Sequence, residues 1–195
     1  HNNNWDFEPV FTSTKNTTYL SWVSSTNTTE RTYEMFMDSI KNHEIKLKEY
    51  KQSKWGSTIL VTNDSYPDGK VDILAKDNLL YMAWIKDMDK DITTFNDTEL
   101  YFAIYNKTNN DITKKRITND TTADHTPNLI YNQKPMIVWR KETSTGEDTE
   151  IFYTNISTIY QLTNNTVPEK TISTSSNSIS WVQNSSKVMY SKYNG

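Results

Sequence analysis

Apolar and polar residues alternate along most of this chain, in short segments bounded by Asn, Asp, Ser, Pro or Gly. The alternation is plainest in ELYFAIY at 99–105 and in EIFYT at 150–154. A period of two residues, enriched in Val, Ile, Thr and aromatic residues, is typical of half-buried β-strands. The pattern therefore predicts an all-β chain of short strands joined by tight turns.

One of these segments recurs along the chain, each time with a tryptophan near its end. The copies are TTYLSWVSS (17–25), LLYMAWIKD (79–87), KPMIVWRKE (134–142) and NSISWVQNS (177–185). Their tryptophans are Trp22, Trp84, Trp139 and Trp181, at intervals of 62, 55 and 42 residues. Self-similarity of this kind indicates a repeat architecture.

Further extended segments flank each copy and complete a larger unit. Before it lie EPVFTST (8–14), KVDILAK (70–76), TPNLIYN (126–132) and EKTISTS (169–175). After it lie TYEMFMDSI (32–40), TELYFAIYN (98–106), TEIFYTNIS (149–157) and KVMYSKYNG (187–195). A fourth segment follows in the first three units: STILVTND (57–64), KKRITND (114–120) and IYQLTNN (159–165).

Four strands per repeat predict a β-propeller of four-stranded antiparallel blades. A single such sheet cannot bury both of its faces, whereas radial stacking buries each face against a neighbour. The expected blades are 6–64, 68–120, 124–165 and 168–195, the last one incomplete. The gap between radial sheets widens outward, so we expect each tryptophan to fill one such wedge.

Acidic residues recur with the repeat. Asp6, Asp68 and Asp124 precede the first strands, where a carboxylate accepts backbone N–H groups and fixes a turn. Glu34, Glu99 and Glu150 are aligned at the start of the third strand, and this repetition favours a structural hydrogen bond or ion pair over catalysis. Glycine is scarce, so Asn is expected in the left-handed turn positions.

The segments VTNDSYPDGKVDI (61–73) and ITNDTTADHTPNL (117–129), each followed by a tryptophan strand, resemble the repeats of extracellular β-propellers. Such repeats occur in archaeal and bacterial surface-layer, adhesin-like and sialidase-like proteins. The resemblance implies a scaffold displayed outside the cell. For this chain we expect an architectural or adhesive role, through protein or glycan contacts, and no enzymatic activity. Its expected partners are other cell-surface proteins or copies of itself, since an open propeller end exposes apolar surface.

Composition narrows the classes of partner. The net charge of −3 and pI near 5.6 give no basic face for nucleic acid. No apolar run is long enough to span a bilayer as a helix. The absence of cysteine excludes disulfides and thiolate metal sites.

Acceptor sites for N-linked glycans are numerous and fall mostly between the apolar runs, where surface loops are expected. The nine sites are Asn16, Asn27, Asn63, Asn96, Asn106, Asn119, Asn155, Asn164 and Asn184. A chain rich in Asn and Thr also generates this pattern by accident. If glycosylated, the sites indicate an extracellular or cell-surface protein.

The loop after Trp84 carries alternating carboxylates at Asp87, Asp89 and Asp91. This spacing resembles the first ligands of a calcium loop, although the glycine and glutamate of an EF-hand are missing. Ca²⁺ is thus the one cofactor that the sequence suggests. The alternative is a solvated acidic loop.

A carbohydrate-active module, lectin-like or hydrolytic, is the alternative function. Trp5, Trp55 and Tyr66 are the aromatic loop residues that would stack on sugar. A sialidase site needs several arginines around one carboxylate. Arg31, Arg116 and Arg140, the only arginines, fall at non-equivalent places in the repeat, so a complete sialidase site is not expected.

Overall fold

The computed structural model describes residues 5–25, 41–91, 94, 97–143 and 148–192, and in these ranges the regular structure is entirely β. Sheet 1 comprises β1 (Asp6–Ser13), β2 (Thr18–Ser24), β3 (Glu44–Lys51), β4 (Lys54–Trp55) and β5 (Ile59–Leu60). Sheet 2 comprises β6 (Asp68–Lys76), β7 (Leu79–Lys86), β8 (Glu99–Asn106) and β9 (Asp111–Arg116). Sheet 3 comprises β10 (Asp124–Asn132), β11 (Lys134–Glu142), β12 (Thr149–Thr154) and β13 (Ile159–Gln161). Sheet 4 comprises β14 (Glu169–Thr174), β15 (Ser178–Gln183) and β16 (Lys187–Lys192).

The sheets are arranged radially. All strand pairs of the described residues are antiparallel and, apart from β5, which pairs with β3, they follow chain order. The first strands contact one another in series: β1 with β6, β6 with β10, β10 with β14. The first strands are therefore the inner ones. This is the β-propeller arrangement, and the predicted fold class is confirmed. No helix of the described ranges has the length and apolarity needed to cross a bilayer.

Three buried clusters fill the gaps between consecutive sheets. Trp84 packs against sheet 1, Trp139 against sheet 2 and Trp181 against sheet 3, and the first two rings are fully buried. Each of these tryptophans thus fills the gap that precedes its own sheet. Trp22 lies on the equivalent face of sheet 1, where no described sheet covers it.

A carboxylate at the start of the inner strand binds the indole of its own sheet. Trp84 Nε1 donates to Asp68 Oδ1 at 2.7 Å, and Trp139 Nε1 donates to Asp124 Oδ1 at the same distance. Lys141 Nζ completes the second pair, 3.1 Å from the same oxygen of Asp124. We call this arrangement the Asp–Trp lock.

The lock is weaker at the two ends of the repeat. In sheet 1, Trp22 Nε1 donates to Asp6 Oδ1 at 2.9 Å, but the bond is exposed to solvent. In sheet 4 the position of the aspartate is taken by Glu169, whose Oε1 accepts from Asn165 and Gln183 instead. The buried Trp181 Nε1 is left without a partner.

The Thr-Asn-Asp turns fasten the outer strands by a second repeated network. Thr118 Oγ1 accepts from Leu100 N at 2.8 Å, and Asp120 N donates to Glu99 Oε1 at 2.8 Å. Equivalent bonds run from Asp64 N to Glu44 and from Asn165 N to Glu150. The expected structural role is thus confirmed for Glu99, which also pairs with Arg116 at 2.9 Å, and for Glu150.

The sequence-based alignment of the first unit is wrong at its third strand. The strand is Glu44–Lys51 and not 32–40, so Glu44 takes the place assigned to Glu34. Glu34 lies outside the described residues. The charged segment from 44 onward alternates inward apolar and outward charged side chains, and this pattern went unrecognised because its charged residues are so numerous.

Left-handed backbone is also distributed differently from the expectation. In the part of the chain that the structure describes, positive φ angles occur at several non-glycine residue types, and two of these residues are asparagine, Asn110 and Asn184. The others include β-branched Thr126 and Thr171, for which this conformation is strained.

We expect the buried lock to contribute far more stability than the exposed one. Asp124→Ala removes the acceptor of Trp139 Nε1 and leaves Lys141 without that partner, which should cost about 3 kcal/mol of unfolding free energy. Asp6→Ala, the matched control, removes the same bond in solvent and should cost less than about 1 kcal/mol. Urea unfolding of both variants measures the difference. Equal losses would contradict the role assigned to burial.

The lock of sheet 2 should also make stability depend on pH. Burial raises the pKa of Asp68 to about 7, against the opposing effect of Lys86. Folding therefore favours the protonated carboxyl, whose contribution is fully present below pH 3.8 and lost as the pH rises through about 7. In urea unfolding over this window, Asp68→Asn should gain stability relative to the native protein by about 1 kcal/mol per pH unit. Parallel pH profiles would refute this assignment, and the exposed Asp111→Asn is the control for altered charge.

Candidate functional site

All four inner strands begin at the same end of the molecule, and each carries a β-bulge within its first residues. The bulges lie between Phe7 and Val10, Gly69 and Asp72, His125 and Asn128, and Lys170 and Ile172. Each contains a residue with positive φ: Glu8 (51°), Lys70 (53°), Thr126 (34°) and Thr171 (33°). We call these four residues the bulge ring and this end of the molecule the entry face.

Backbone strain of this kind costs on the order of 1–3 kcal/mol per residue and concentrates at functional sites, as β-bulges do. The strain recurs in all four sheets, so the backbone alone indicates the entry face as a candidate functional site. None of the ring residues is glycine, although glycine would adopt these angles without strain.

Two adjoining cavities open on the entry face. The larger, about 660 Å³, lies between sheets 3 and 4 and is lined by Thr126, Arg140, Asp148, Lys170 and Thr171, among others. The smaller, about 310 Å³, spans the starts of sheets 1 to 3 and is lined by residues that include Glu8, His43, Lys70, Asp87 and Thr126. Because Thr126 lines both, the two cavities meet at the bulge ring. Their volumes lie in the range of small-molecule sites.

Opposite charges neighbour one another along the smaller cavity. Lys70 donates to Glu8 through its backbone N at 2.9 Å and through Nζ. His125 Nε2 lies 3.0 Å from Glu142 Oε1, and this contact is part-buried. The ring of His43 packs edge-on against the ring of Phe7, with 4.6 Å between the ring centres. Burial lowers the pKa of His43 to about 4, so the imidazole is neutral at pH 7.

Arg140 has no ion-pair partner among the described residues. Its side chain is half-buried in the wall of the larger cavity, and burial lowers the pKa of the guanidinium, which remains protonated at pH 7. Arg116 lies elsewhere, paired with Glu99 in sheet 2, and Arg31 is outside the described residues. The two described arginines, Arg116 and Arg140, thus lie in different sheets.

The predicted calcium ligands are brought together only in part. Asp87, Asp89 and Asp97 each place a carboxylate oxygen within 4.8 Å of the others. Asp91 is not in this group. It is exposed, and its backbone N donates to Asp89 Oδ1 at 2.6 Å. Both oxygens of Asp97 are buried without a hydrogen-bond partner. Ca²⁺ stays a prediction, with Asp97 in the place given to Asp91.

Sequence reasoning missed Asp97 because it considered only alternate residues of one loop. Asp97 lies at the end of the connection between β7 and β8, two residues before β8 begins at Glu99, and its carboxylate lies beside those of Asp87 and Asp89. A carboxylate just ahead of a strand start was the available signal.

The aromatic residues proposed to stack on sugar do not share one surface. Trp55 lies on β4 and packs against Tyr50 at 5.1 Å. Tyr66 is covered by Lys90 Nζ, 4.5 Å from the ring centre. Trp5 precedes β1 and donates its backbone N to Ser25 Oγ at 3.0 Å. None of the three lines either cavity of the entry face.

Most of the described glycan acceptor sites are exposed. Asn106 is half-buried at the end of β8, and Asn27 and Asn96 lie outside the described residues. The remaining sites are exposed, in turns and loops: Asn16, Asn63, Asn119, Asn155, Asn164 and Asn184.

The sequence matches no protein-family model and no curated protein. Two solved structures share the fold. The chain folds as a β-propeller like theirs. One is an α-L-arabinanase of Penicillium chrysogenum complexed with arabinobiose, with a TM-score of 0.54 and 13% identity over 93% of this chain and 58% of that one. The other is an α-L-arabinofuranosidase of Fusarium graminearum in complex with an iminosugar inhibitor, with a TM-score of 0.52 and 12% identity over 92% and 57%.

These comparisons correct one expectation and limit another. The prediction that the chain is not an enzyme is contradicted, because both of these propellers are named as carbohydrate-cleaving enzymes. The resemblance to extracellular propellers holds at the level of the fold, and neither structure is a surface-layer or adhesin protein. The chain spans less than two thirds of the length of either one.

Calcium should bind at the acidic cluster and stabilise the connection between β7 and β8. The expected gain in unfolding free energy is about 2.7 kcal/mol at a Ca²⁺ concentration 100 times the dissociation constant. Calorimetric titration and thermal unfolding measure both quantities. Asp97→Asn should abolish binding, whereas Asp91→Asn, the matched control, should retain it. The prediction fails if the native protein gives no heat above an EGTA control.

Proposed function

We propose that this protein is a carbohydrate-active β-propeller that hydrolyses glycosidic bonds at its entry face. The observation that carries the proposal is the pair of cavities that meet at Thr126, in the strained bulge ring, with one carboxylate lining each cavity. The activities named for the two similar structures support the reaction class.

The carboxylates suited to the reaction are Glu8 in the smaller cavity and Asp148 in the larger. Glycoside hydrolysis requires two carboxyl groups flanking the scissile bond, one to protonate the leaving group and one to act as nucleophile or base. A saccharide lying across Thr126 has Glu8 on one side and Asp148 on the other. Lys70 orients Glu8 through its two contacts, and Asp148 Oδ1 is fixed by the backbone N of Thr149 at 2.9 Å.

The saccharide binds at the wall of the larger cavity that carries Arg140 and Lys170. Arg140 and Lys170 offer N–H donors there, and Arg140 has no described ion-pair partner to displace. Sugar hydroxyls and ring oxygens accept such bonds. Arabinan oligosaccharides are the first probe, because arabinobiose is the ligand named for one of the similar structures.

A panel of oligosaccharides that includes arabinan fragments should reveal hydrolysis by the native protein. Glu8→Gln and Asp148→Asn should each lower kcat by about 10²–10⁴-fold, because each removes a carboxyl group from the reaction. Arg140→Ala should raise KM and leave kcat less affected. Asp111→Asn on outer strand β9 is the matched control and should leave both constants unchanged.

The outcomes separate the parts of this proposal. Binding without hydrolysis, abolished by Arg140→Ala, would reduce the function to a lectin. Hydrolysis unaffected by Glu8→Gln and Asp148→Asn would reject the assigned carboxylates. Neither binding nor hydrolysis of any saccharide would reject the proposal as a whole.

An extracellular, glycosylated state is part of the proposal. Six acceptor sites lie exposed in turns and loops, where an attached glycan meets no steric obstacle: Asn16, Asn63, Asn119, Asn155, Asn164 and Asn184. Mass spectrometry of the native protein reports their occupancy directly.

A further inference from the structure

Each of the three junctions between consecutive sheets buries a pair of carboxylates. One member lies at the start of the third strand of the preceding sheet, and the other begins the inner strand of the following sheet. The pairs are Glu44 with Asp68, Glu99 with Asp124, and Glu150 with Glu169. The members of the third pair are 1% and 0% exposed. An ionised carboxylate is costly to bury unless a counter-charge or a metal ion lies beside it.

A cation accompanies each of the first two pairs. Lys86 Nζ lies 3.4 Å from Asp68 Oδ1 in the first junction. In the second, Lys141 Nζ lies 3.1 Å from Asp124 Oδ1, and Arg116 pairs with the glutamate. These cations occupy two defined positions of the repeat. The lysine lies opposite the inner-strand carboxylate in the strand register, and the arginine precedes the threonine of the Thr-Asn-Asp turn by two residues.

Both positions are neutral at the third junction. Gln183 lies opposite the inner-strand carboxylate, where Lys86 and Lys141 lie in the other sheets. Gln161 takes the position of Arg116, two residues before the threonine of its turn. The third carboxylate pair thus has neither of the counter-charges that the repeat provides elsewhere.

The nearest lysines along the chain are bonded to other groups. Lys141 lies opposite Glu150 in the register of β11 and β12, but its Nζ contacts the carboxylates of the preceding junction. Lys170 follows Glu169, and its Nζ donates to Ser185 Oγ at 2.7 Å. No ion pair in the part of the chain that the structure describes includes Glu150 or Glu169.

Neutral donors satisfy only one oxygen of each carboxylate. Asn165 connects the two, because its backbone N donates to Glu150 Oε1 at 2.6 Å and its side-chain amide donates to Glu169 Oε1 at 3.0 Å. Gln183 Nε2 donates to that same oxygen of Glu169 at 3.0 Å. The Oε2 atoms of both glutamates are buried without a hydrogen-bond partner. The same oxygens of the glutamates at the other two junctions also have none, but a cation lies in each of those junctions.

We propose that a hard metal cation binds between Glu150 and Glu169 and supplies the positive charge that a lysine supplies at the other junctions. Carboxylate oxygens are the ligands that such ions prefer, and a divalent ion balances both negative charges. Ca²⁺ is the probe, because it accepts irregular oxygen coordination, whereas Mg²⁺ demands near-ideal octahedral geometry. This site is separate from the acidic cluster in the connection between β7 and β8.

The ion lies behind the wall of the larger cavity. Thr149 and Lys170, the sequence neighbours of the two glutamates, line that cavity. Thr149 Oγ1 also donates to the backbone O of Glu169 at 2.6 Å. An ion held by Glu150 and Glu169 therefore ties sheet 3 to sheet 4 at this wall. The inference is independent of the proposed hydrolysis, because it concerns ion binding and stability.

Calcium titration of the Asp97→Asn protein tests the site, because this substitution removes the acidic cluster between β7 and β8 from the measurement. Calorimetry should show a single bound Ca²⁺ per chain. Ca²⁺ at about 100 times its dissociation constant should raise the Tm by about 5–10 °C. Adding Glu169→Gln should abolish both the heat of binding and the rise in Tm. Unchanged binding in that double variant would overturn the proposal.

A second substitution in the Asp97→Asn protein supplies the cation from the chain itself. In metal-free buffer, Gln183→Lys should raise the Tm by about 2–4 °C, because the lysine pairs with buried carboxylates. Added Ca²⁺ should then have no further effect. Ser176→Lys, in the exposed turn between β14 and β15, is the matched control for the added charge and should retain the response to Ca²⁺.

Two results would reject the ion outright. One is an Asp97→Asn protein that gives neither heat nor a change in Tm with Ca²⁺. The other is a Gln183→Lys variant that keeps the full response. Either result would leave a buried water molecule or a shared proton as the partner of the two Oε2 atoms.

Discussion

The structure depends on the hydrogen bond from a buried indole N–H group to the aspartate of its own inner strand. Every sheet has two apolar faces, and this bond fixes the tryptophan that fills the gap over one of them. A tryptophan is large enough for a gap that widens outward, but its N–H group is costly to bury unpaired. Asp68 and Asp124 remove that cost by accepting the indole N–H of Trp84 and Trp139 within the same sheet. The orientation of each of these rings is therefore set by its own sheet. The neighbouring sheet needs to supply only apolar surface.

The lock also sets the geometry of the entry face. Asp68 and Asp124 lie two residues before Lys70 and Thr126 of the bulge ring, so the strained backbone follows directly on the most constrained point of the inner strand. Strained conformations persist where the surrounding structure over-determines them. The same buried contact thus stabilises the fold and presents the residues around the cavities in fixed positions.

In sheets 1 and 4 the Asp–Trp lock is incomplete. Trp22 has its aspartate, but without a preceding sheet the bond stays in solvent. Trp181 has a sheet on its face, but Glu169 is bonded to Asn165 and Gln183, and the indole stays unpaired. A complete blade therefore requires both the carboxylate and the neighbour.

Sequence alone determined the strand order, the four tryptophan positions and the structural role of Glu99 and Glu150, because a period of two and a repeated motif are local properties of the chain. The third strand of sheet 1 was misplaced, since its apolar residues are separated by lysines and burial, not hydropathy, distinguishes it. Tertiary structure alone decided the site: Thr126 adjoins two cavities, Asp97 meets Asp87 and Asp89, and Arg140 and Asp148 of sheet 3 line one cavity together with Lys170 of sheet 4. Glu8, Thr126 and Lys170 come from separate sheets, and only the radial packing of the sheets brings them to one face, whereas Asp87, Asp89 and Asp97 meet within the single connection between β7 and β8.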